Sequence, residues 1–555
     1  MLSSMEAPQD TTVATGVVDV FVQSGAKNTS VSTKLESDLT KETSTGGKRE
    51  TVLIRFAHCD TDDPFNWTST KKWIVVTVAE LYSASTSINV TSYDSGSPSM
   101  QTTIPCSAVA ATAGVTSYLA LCGIAPLLLA PISEQFGRRG MLIASAVVFM
   151  LCYIPVAVAK EIWVIILFRG IQGAAASTGN SMVGGLVADV FAADTRGLPM
   201  TMFSFLILAG QGVGAVVFGW VDMYLGYKWI AWINMIIAFV MTIIMYLVLA
   251  ETRGSKILEE RARRLTKQTG VLHIADTESG GSGAPPGHQT IEIWDLLRTT
   301  VSRPMVFLVT EPVVTAFAMW AALLWGVVFI LFSSVPLIYA QYGFSSGQTG
   351  SIFVTVIIGA VLGLFAAHVQ DQLYRRDGAK AALGRAPPES RLYTACVGGL
   401  VVPISLFWFA WSGRPEVHWL VPTIALVSFN LGIFPIYLAA FSYLADSYEQ
   451  YGSSAIAAQS FLRNVFGGVF PLFTIPMYTN LGYPLASTLL GALACAFSVL
   501  PFLLMAYGPQ IRSRGRVAKK IAKQQERGHT KSGRVVEATR ERERGEETEV
   551  QTLDV

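Results

Sequence analysis

The stretch LLLAPISEQFGRRGML, residues 127–142, decides how this chain is read. It places Glu134, Arg138 and Arg139 in a short polar link between two long apolar runs, at about 108–131 and 141–159. A helix needs about 20 mostly apolar residues to cross ~30 Å of hydrocarbon, and both runs are long enough. Gly137 supplies a tight turn in the link. An acid and two cations in so short a loop can form a charge network that opens and closes with a gate. The simpler alternative is that the arginines only anchor the loop at the membrane surface.

Working outward, the same apolar runs recur along the whole chain. Six precede residue 251, at about 73–92, 108–131, 141–159, 162–187, 199–221 and 229–250. Six follow residue 304, at about 306–333, 347–368, 392–412, 418–443, 455–479 and 484–507. Composition agrees: 51% of the residues are hydrophobic and 14% charged, against roughly 25% charged in soluble domains. The fold expected is an all-α polytopic membrane protein with twelve transmembrane helices in two six-helix bundles. Residues 1–72 read as a disordered cytosolic tail, 251–304 as a cytosolic central loop with a flexible SGGSGAPPG segment, and 508–555 as a cytosolic tail.

Lys and Arg fix the orientation. Arg138, Arg139, Arg196, the six basic residues of 253–267, the 375–385 loop and the tail from Arg512 all fall on one side. Only Lys160, Lys228 and Arg414 fall on the other. With an even number of spans, both termini and the central loop lie in the cytosol. Two six-span halves suggest a site near the midplane around which the halves rock.

Several chemistries are excluded or disfavoured. A net charge of +2 suggests no nucleic-acid partner. The six cysteines are scattered, so neither a zinc site nor a disulfide framework is indicated. No phosphate-binding G-x-x-x-x-G-K-[ST] motif occurs, so the energy for transport must come from a gradient. GQGVGAVVFG at 210–219 lies inside a span, where small residues let helices approach closely. No nucleophile, metal or cofactor constellation is present, and no enzyme activity or cofactor is expected.

The 127–142 segment resembles the loop G-x-L-a-D-r-x-G-r-[KR] of the major facilitator superfamily. Gly137, Arg138 and Arg139 match, Ala130 replaces the first Gly and Glu134 the Asp. The variant is similar to that of fungal twelve-span drug:proton antiporters, and the resemblance extends over nearly all of 60–515. DPFNW at 63–67, LFRGIQGAAAS at 167–177, GGLVADVFAADTRG at 184–197, EPVV at 311–314, PESRL at 388–392, FLRNVFGGVFPLF at 461–473 and LGYPLASTLLG at 481–491 look like family signatures in order. PESR also resembles the P-E-S-P-R motif of sugar porters. There the motif follows span six, whereas here it follows span eight and lacks the second Pro. One departure concerns the antiporter motif G-P-x-x-G-G. Its counterpart here is Gly214-Ala-Val-Val-Phe-Gly219, without the Pro and one Gly, which leaves the direction of transport less determined than the fold.

Ionisable residues within spans mark function, because a charge in hydrocarbon is costly. Glu80 in span one, Arg169 in span four, Arg463 in span eleven and Glu311 early in span seven are such residues. Glu80 is the only carboxylate of span one within 73–92, and an Arg169–Glu80 pair is the expected proton-coupling element. The alternative for each is a local partner or a charge reaching to the interface. Trp320, Trp325, Asn430, Tyr437, Gln459 and Arg463 are candidates for the substrate cavity, together with Phe434, Phe461 and Phe466. Lipid contact or helix packing is the competing reading for any single aromatic. Asn89-Val90-Thr91 is a glycosylation sequon at the expected outer end of span one.

The function implied is proton-coupled efflux of a drug, toxin or secondary metabolite by a monomer at the plasma membrane or the vacuolar membrane. The expected partners are a small organic substrate, protons and the lipid bilayer. A proton-coupled importer or facilitator of a nutrient or polyamine is the alternative. A transporter-like receptor is a third reading, disfavoured by Arg169 and the gate loop.

Overall fold

The computed structural model describes residues 51–57, 59–192, 195–275, 293–380, 386–448, 451–515 and 519. They fall into two compact units: the described residues up to Ser69 together with 251–275, and Thr70–Ala250 together with the described residues from 293 onward.

The smaller unit is a parallel strand pair with one helix. Thr51–Ile54 pairs with Leu272–Ala275 in the register Thr51↔Leu272 to Ile54↔Ala275. Helix Gly254–Thr269 closes on left-handed Gly270 (φ 73°). Leu258 and Ala262, one turn apart on one face, bury against Ile54, with Phe56, Leu265 and Ala275 around them. Arg261 donates to Asp60 Oδ2 (2.6 Å) and Asp62 Oδ2 (2.9 Å). This corrects the expectation of a disordered tail through residue 72. Residues 51–67 carry a strand and a short 3-10 turn, Pro64–Asn66, capped by Asp63. The rest of the tail, the SGGSGAPPG segment and most of the C-terminal tail lie outside the described residues.

The larger unit is helical. Among the described residues, ten helices are long and apolar enough to cross a membrane, from Ala108–Ala130 to Tyr483–Arg512. Two further helical runs complete the twelve. The first, Ser69–Ser95, is span one. The second is span eleven: Gly452–Val469, a 3-10 turn at Phe470–Phe473 and Thr474–Leu481. Span one is less apolar because it carries many polar side chains, and span eleven is both polar and broken by the Phe470–Phe473 turn. In span one Ser83, Thr86, Asn89, Thr91 and Ser92 are buried, and in span eleven Gln459, Arg463 and Asn464 are. Span one is held by bonds to neighbouring helices. Ser83 Oγ donates to Gly179 O (2.6 Å), Thr91 Oγ1 to Gln211 O (2.8 Å), and Tyr118 OH to Thr86 O (3.0 Å). A polar helix survives in lipid when such partners replace water.

Burial ranks the spans. The most apolar window of span seven, Pro312–Ala340, is 83% buried, against 28% for Tyr227–Val248 and 33% for Tyr483–Arg512. Span seven is therefore central, and spans six and twelve face lipid with side chains such as Leu247. Span seven begins later than the apolar run at 306 suggested. Pro312 at its first turn disfavours helix for the residue before it. Glu311 is extended there (φ −111°), so Ile293–Thr310 is a separate helix.

The two halves meet along spans two and eleven and along spans five and eight. Gly219 and Gly350 cross so closely that a Cβ on Gly219 would lie 2.9 Å from Gly350 Cα. Trp220 Nε1 donates to Ser351 Oγ (2.9 Å), and Thr116 Oγ1 to Gly468 O (2.7 Å). Both bonds lie toward the end of the bundle opposite the 127–142 loop.

Candidate functional site

At the 127–142 loop, span two runs to Phe136 and Gly137 turns the chain with φ 95° and ψ 154°, a conformation only glycine adopts readily. Span three then starts at once at Arg138. The Arg138 guanidinium is buried against Gly185 of span four and pairs with Asp189 at that span's end. Arg139 is exposed and donates to Tyr246 O (3.2 Å). Glu134 sits in the last turn of span two, and its side chain lies outside the described set.

The loop six spans later, which holds the PESRL signature, carries a matching charge set. Pro388–Arg391 is a 3-10 turn. Arg391 Nε pairs with Asp446 at 2.9 Å, and Arg512 Nη2 with Glu389 at 2.8 Å. Arg196, between spans four and five, feels the charges of Asp446 and Asp189, one from each half. Burial holds its pKa below the usual arginine value, and the two acids oppose that shift. The sequence signal for this second set was an acid–arginine pair, Glu389 and Arg391, recurring six spans after Glu134 and Arg138. Glu311 stands at the N-cap position of span seven without capping it, and its carboxylate accepts from Tyr448 OH (3.2 Å).

Arg169 lies deep in the first half and is 1% exposed. Its guanidinium is sandwiched between the rings of Tyr93 (4.4 Å) and Tyr118 (4.5 Å). Nη1 donates to Asn89 O and to Gln172 Oε1, both at 3.4 Å. Nε and Nη2 have no hydrogen-bond partner among the described residues. The group lines a small cavity with Asn89, Tyr93, Gln172, Tyr227 and Asn234. Its interior leaves about 20 Å³ for the centres of water-sized molecules, above the ~10–15 Å³ that one water requires.

Two expectations are corrected here. Glu80 does not pair with Arg169. Arg169 meets span one at Asn89, nine residues beyond Glu80, which is about 13–14 Å along a helix. The acid whose charge reaches Arg169 is Asp94. Span one continues to Ser95, beyond the apolar run that ended at 92, and this brings Asp94 into the bundle. Glu80 itself is 1% exposed, and its Oε1 has no hydrogen-bond partner. Asn89 is also buried, donating to Gln172 Oε1 (3.5 Å), so a glycan has no access to it in this fold.

In the second half, Arg463 is 5% exposed and caged by rings: Trp325 at 4.7 Å, Tyr437 at 5.1 Å and Phe441 at 5.7 Å. Trp325 and Tyr437 stack at 4.9 Å. Gln459, one helical turn before Arg463, is fully buried. Cys122 of span two feels the Arg463 charge across the seam. Three cavity candidates thus converge, with Gln459 on the same helix face. Trp320 does not join them and packs on Phe317 (6.2 Å). Asn430 lines a separate, mostly apolar cavity with Phe332, Phe353 and Phe429, and donates to Leu426 O (2.8 Å). Phe434 packs on Gly363, and Phe466 on Phe470 (5.3 Å).

Comparison with known proteins bears on this arrangement. The family model of the Major Facilitator Superfamily matches residues 81–471. The MFS-type efflux pump MFS2 of Trichophyton rubrum is 32% identical over 85% of this chain and 78% of its own length. The major facilitator superfamily multidrug transporter mdrA of Aspergillus fumigatus is 30% identical over 86% of this chain and 77% of its own. Among solved structures, a partially occluded inward-open form of the xylose transporter XylE from E. coli superposes with TM-score 0.56. It is 15% identical, over 79% of this chain and 99% of that one, and this likeness concerns the fold.

Proposed function

Since the chain belongs to the major facilitator superfamily, and is therefore a multi-pass membrane transporter rather than an enzyme, we propose that it exports a small organic compound against inward proton flow. The relatives named as an efflux pump and a multidrug transporter support export. A fungal plasma membrane is the location that fits such a role.

The observation that carries proton coupling is Glu80: a buried carboxylate with an unpartnered oxygen, on the polar span one, with no cation on it among the described residues. A carboxylate in that setting can change charge according to which side's water reaches it. Rocking of the halves then converts proton traffic into substrate movement. Arg169 and Asp94 form a second charged station nearer the other end of span one, beside a cavity with room for water. The Arg138–Asp189 and Arg391–Asp446 pairs, with Arg196 between the two acids, form the cytosolic gate, which opens as the halves part.

In liposomes, Glu80→Gln retains downhill substrate exchange and loses accumulation driven by a pH gradient. Wild-type uphill accumulation by Glu80→Gln removes Glu80 from the coupling role.

A further inference from the structure

The arginines of the membrane unit that are wholly or largely buried differ in one respect. Arg138 pairs with Asp189, Arg391 with Asp446 and Arg512 with Glu389. Arg169 feels Asp94, and Arg196 feels Asp446 and Asp189. Arg463 has no acidic partner among the described residues. Its Nε and Nη1 are buried without a hydrogen-bond acceptor, and so is Nε2 of Gln459, one turn away on the same helix face. Its neighbours are the flat walls of Trp325, Tyr437 and Phe441, and its charge reaches Cys122 of span two. The aromatic rings stabilise the cation, but they offer no in-plane acceptor to its N–H groups.

Donors without acceptors, a full positive charge and stacked ring faces together describe one ligand chemistry. We propose that Arg463, Gln459, Trp325 and Tyr437 form the anion-selecting part of the substrate site, and that the transported compounds are flat aromatic or conjugated carboxylates. This rests on the reading of the chain as a transporter. The carboxylate accepts from Arg463 and Gln459 and supplies the missing counter-charge, while the planar body lies against the ring walls. The location suits the task. Gly123, next to Cys122, packs on span eleven so that a Cβ there would lie 3.1 Å from Asn464 Cβ, so the cluster lies at the seam that rocking opens.

The test uses the full chain in liposomes with three probes of one shape: 1-naphthoate, neutral 1-naphthamide and cationic 1-naphthylmethylammonium. Binding is measured by titration, and accumulation under an imposed pH gradient in parallel. Wild-type protein binds naphthoate about tenfold or more tighter than either analogue, the scale of one charged hydrogen-bond partner. Arg463→Gln erases that preference, so that acid and amide bind within about twofold of one another, and its thermal unfolding and gel-filtration profile in detergent show that the variant is folded. Arg463→Lys keeps the charge and retains part of the preference. The inference is overturned if wild-type protein binds the amide or the ammonium as tightly as naphthoate, if it binds none of the three, or if Arg463→Gln still prefers the acid. Gradient-driven movement of the ammonium or amide but not of naphthoate overturns it too, and leaves export standing. Selective naphthoate binding with no driven movement of any probe supports the anion site and overturns the claim that such acids are carried by proton-driven export, the reading on which it rests.

Discussion

Glu80 and Asp94 stand on the same helix and face different surroundings, and each should respond differently to neutralisation. Glu80 has an oxygen without a partner, whereas Asp94 shares its charge with Arg169. Glu80→Gln should leave thermal stability in detergent unchanged or slightly raised, because a buried charge without a partner is a cost. Asp94→Asn should lower stability, because Arg169 then loses the opposite charge that it feels in the bundle. The reverse order of melting temperatures would contradict these assignments. Arg169→Lys keeps the charge but cannot lie as a plane between two tyrosine rings, so uphill transport should fall while membrane levels persist. Gly137→Ala forces a side chain into backbone space that only glycine occupies easily, at about 1–3 kcal/mol, also readable by thermal unfolding.

At the scale of the element, spans one and eleven are the least apolar of the twelve spans. Their residues are legible one by one in the sequence, as is Arg169 of span four: Glu80, Gln459 and Arg463 stand out because charge and amide groups are rare in apolar runs. Their pairings were not legible. The apolar run of span one stops at residue 92, so Asp94 looked like a loop residue and Glu80 became Arg169's partner by elimination. The small unit was hidden for another reason. A four-residue strand, Thr51–Ile54, has too little pattern to show itself, and its mate lies some 220 residues away in the chain. That unit carries a pH prediction. Burial acts to raise the pKa of Asp60, but the hydrogen bond and charge of Arg261 and the Asp62 backbone N–H outweigh it and hold the value below the ordinary one. A depressed acid stabilises above the unfolded-state value of about 3.9 and loses that contribution as pH falls through the lower folded value. Amide exchange in Gly254–Thr269, corrected for its intrinsic pH dependence, should therefore accelerate in that acid range. Asp60→Asn should show the same fast exchange already at neutral pH. In the seam, Gly219→Leu would drive a side chain into Gly350 and Ser346 and should slow turnover severalfold without removing the protein from the membrane.

For the whole molecule, hydropathy is enough to read two six-span halves, and the one-sided placement of Arg and Lys is what puts the termini in the cytosol as an expectation. Packing against a specific partner helix cannot be read from one chain alone, which is why Glu389, Arg391 and Asp446 of the second half do not stand out as a set in the sequence. The orientation predicts that protease added to sealed cells spares residues 251–275, and cleavage there would reverse it. The central claim is proton-driven export, and inside-out vesicles test it most directly. They are loaded with acid in the lumen, which corresponds to the outside of the cell, and given a radiolabelled compound to which a deletion strain is hypersensitive. The account predicts uphill accumulation in the lumen that a protonophore abolishes and that Glu80→Gln vesicles lack. Accumulation that persists with the protonophore, or that requires the opposite gradient, would contradict it.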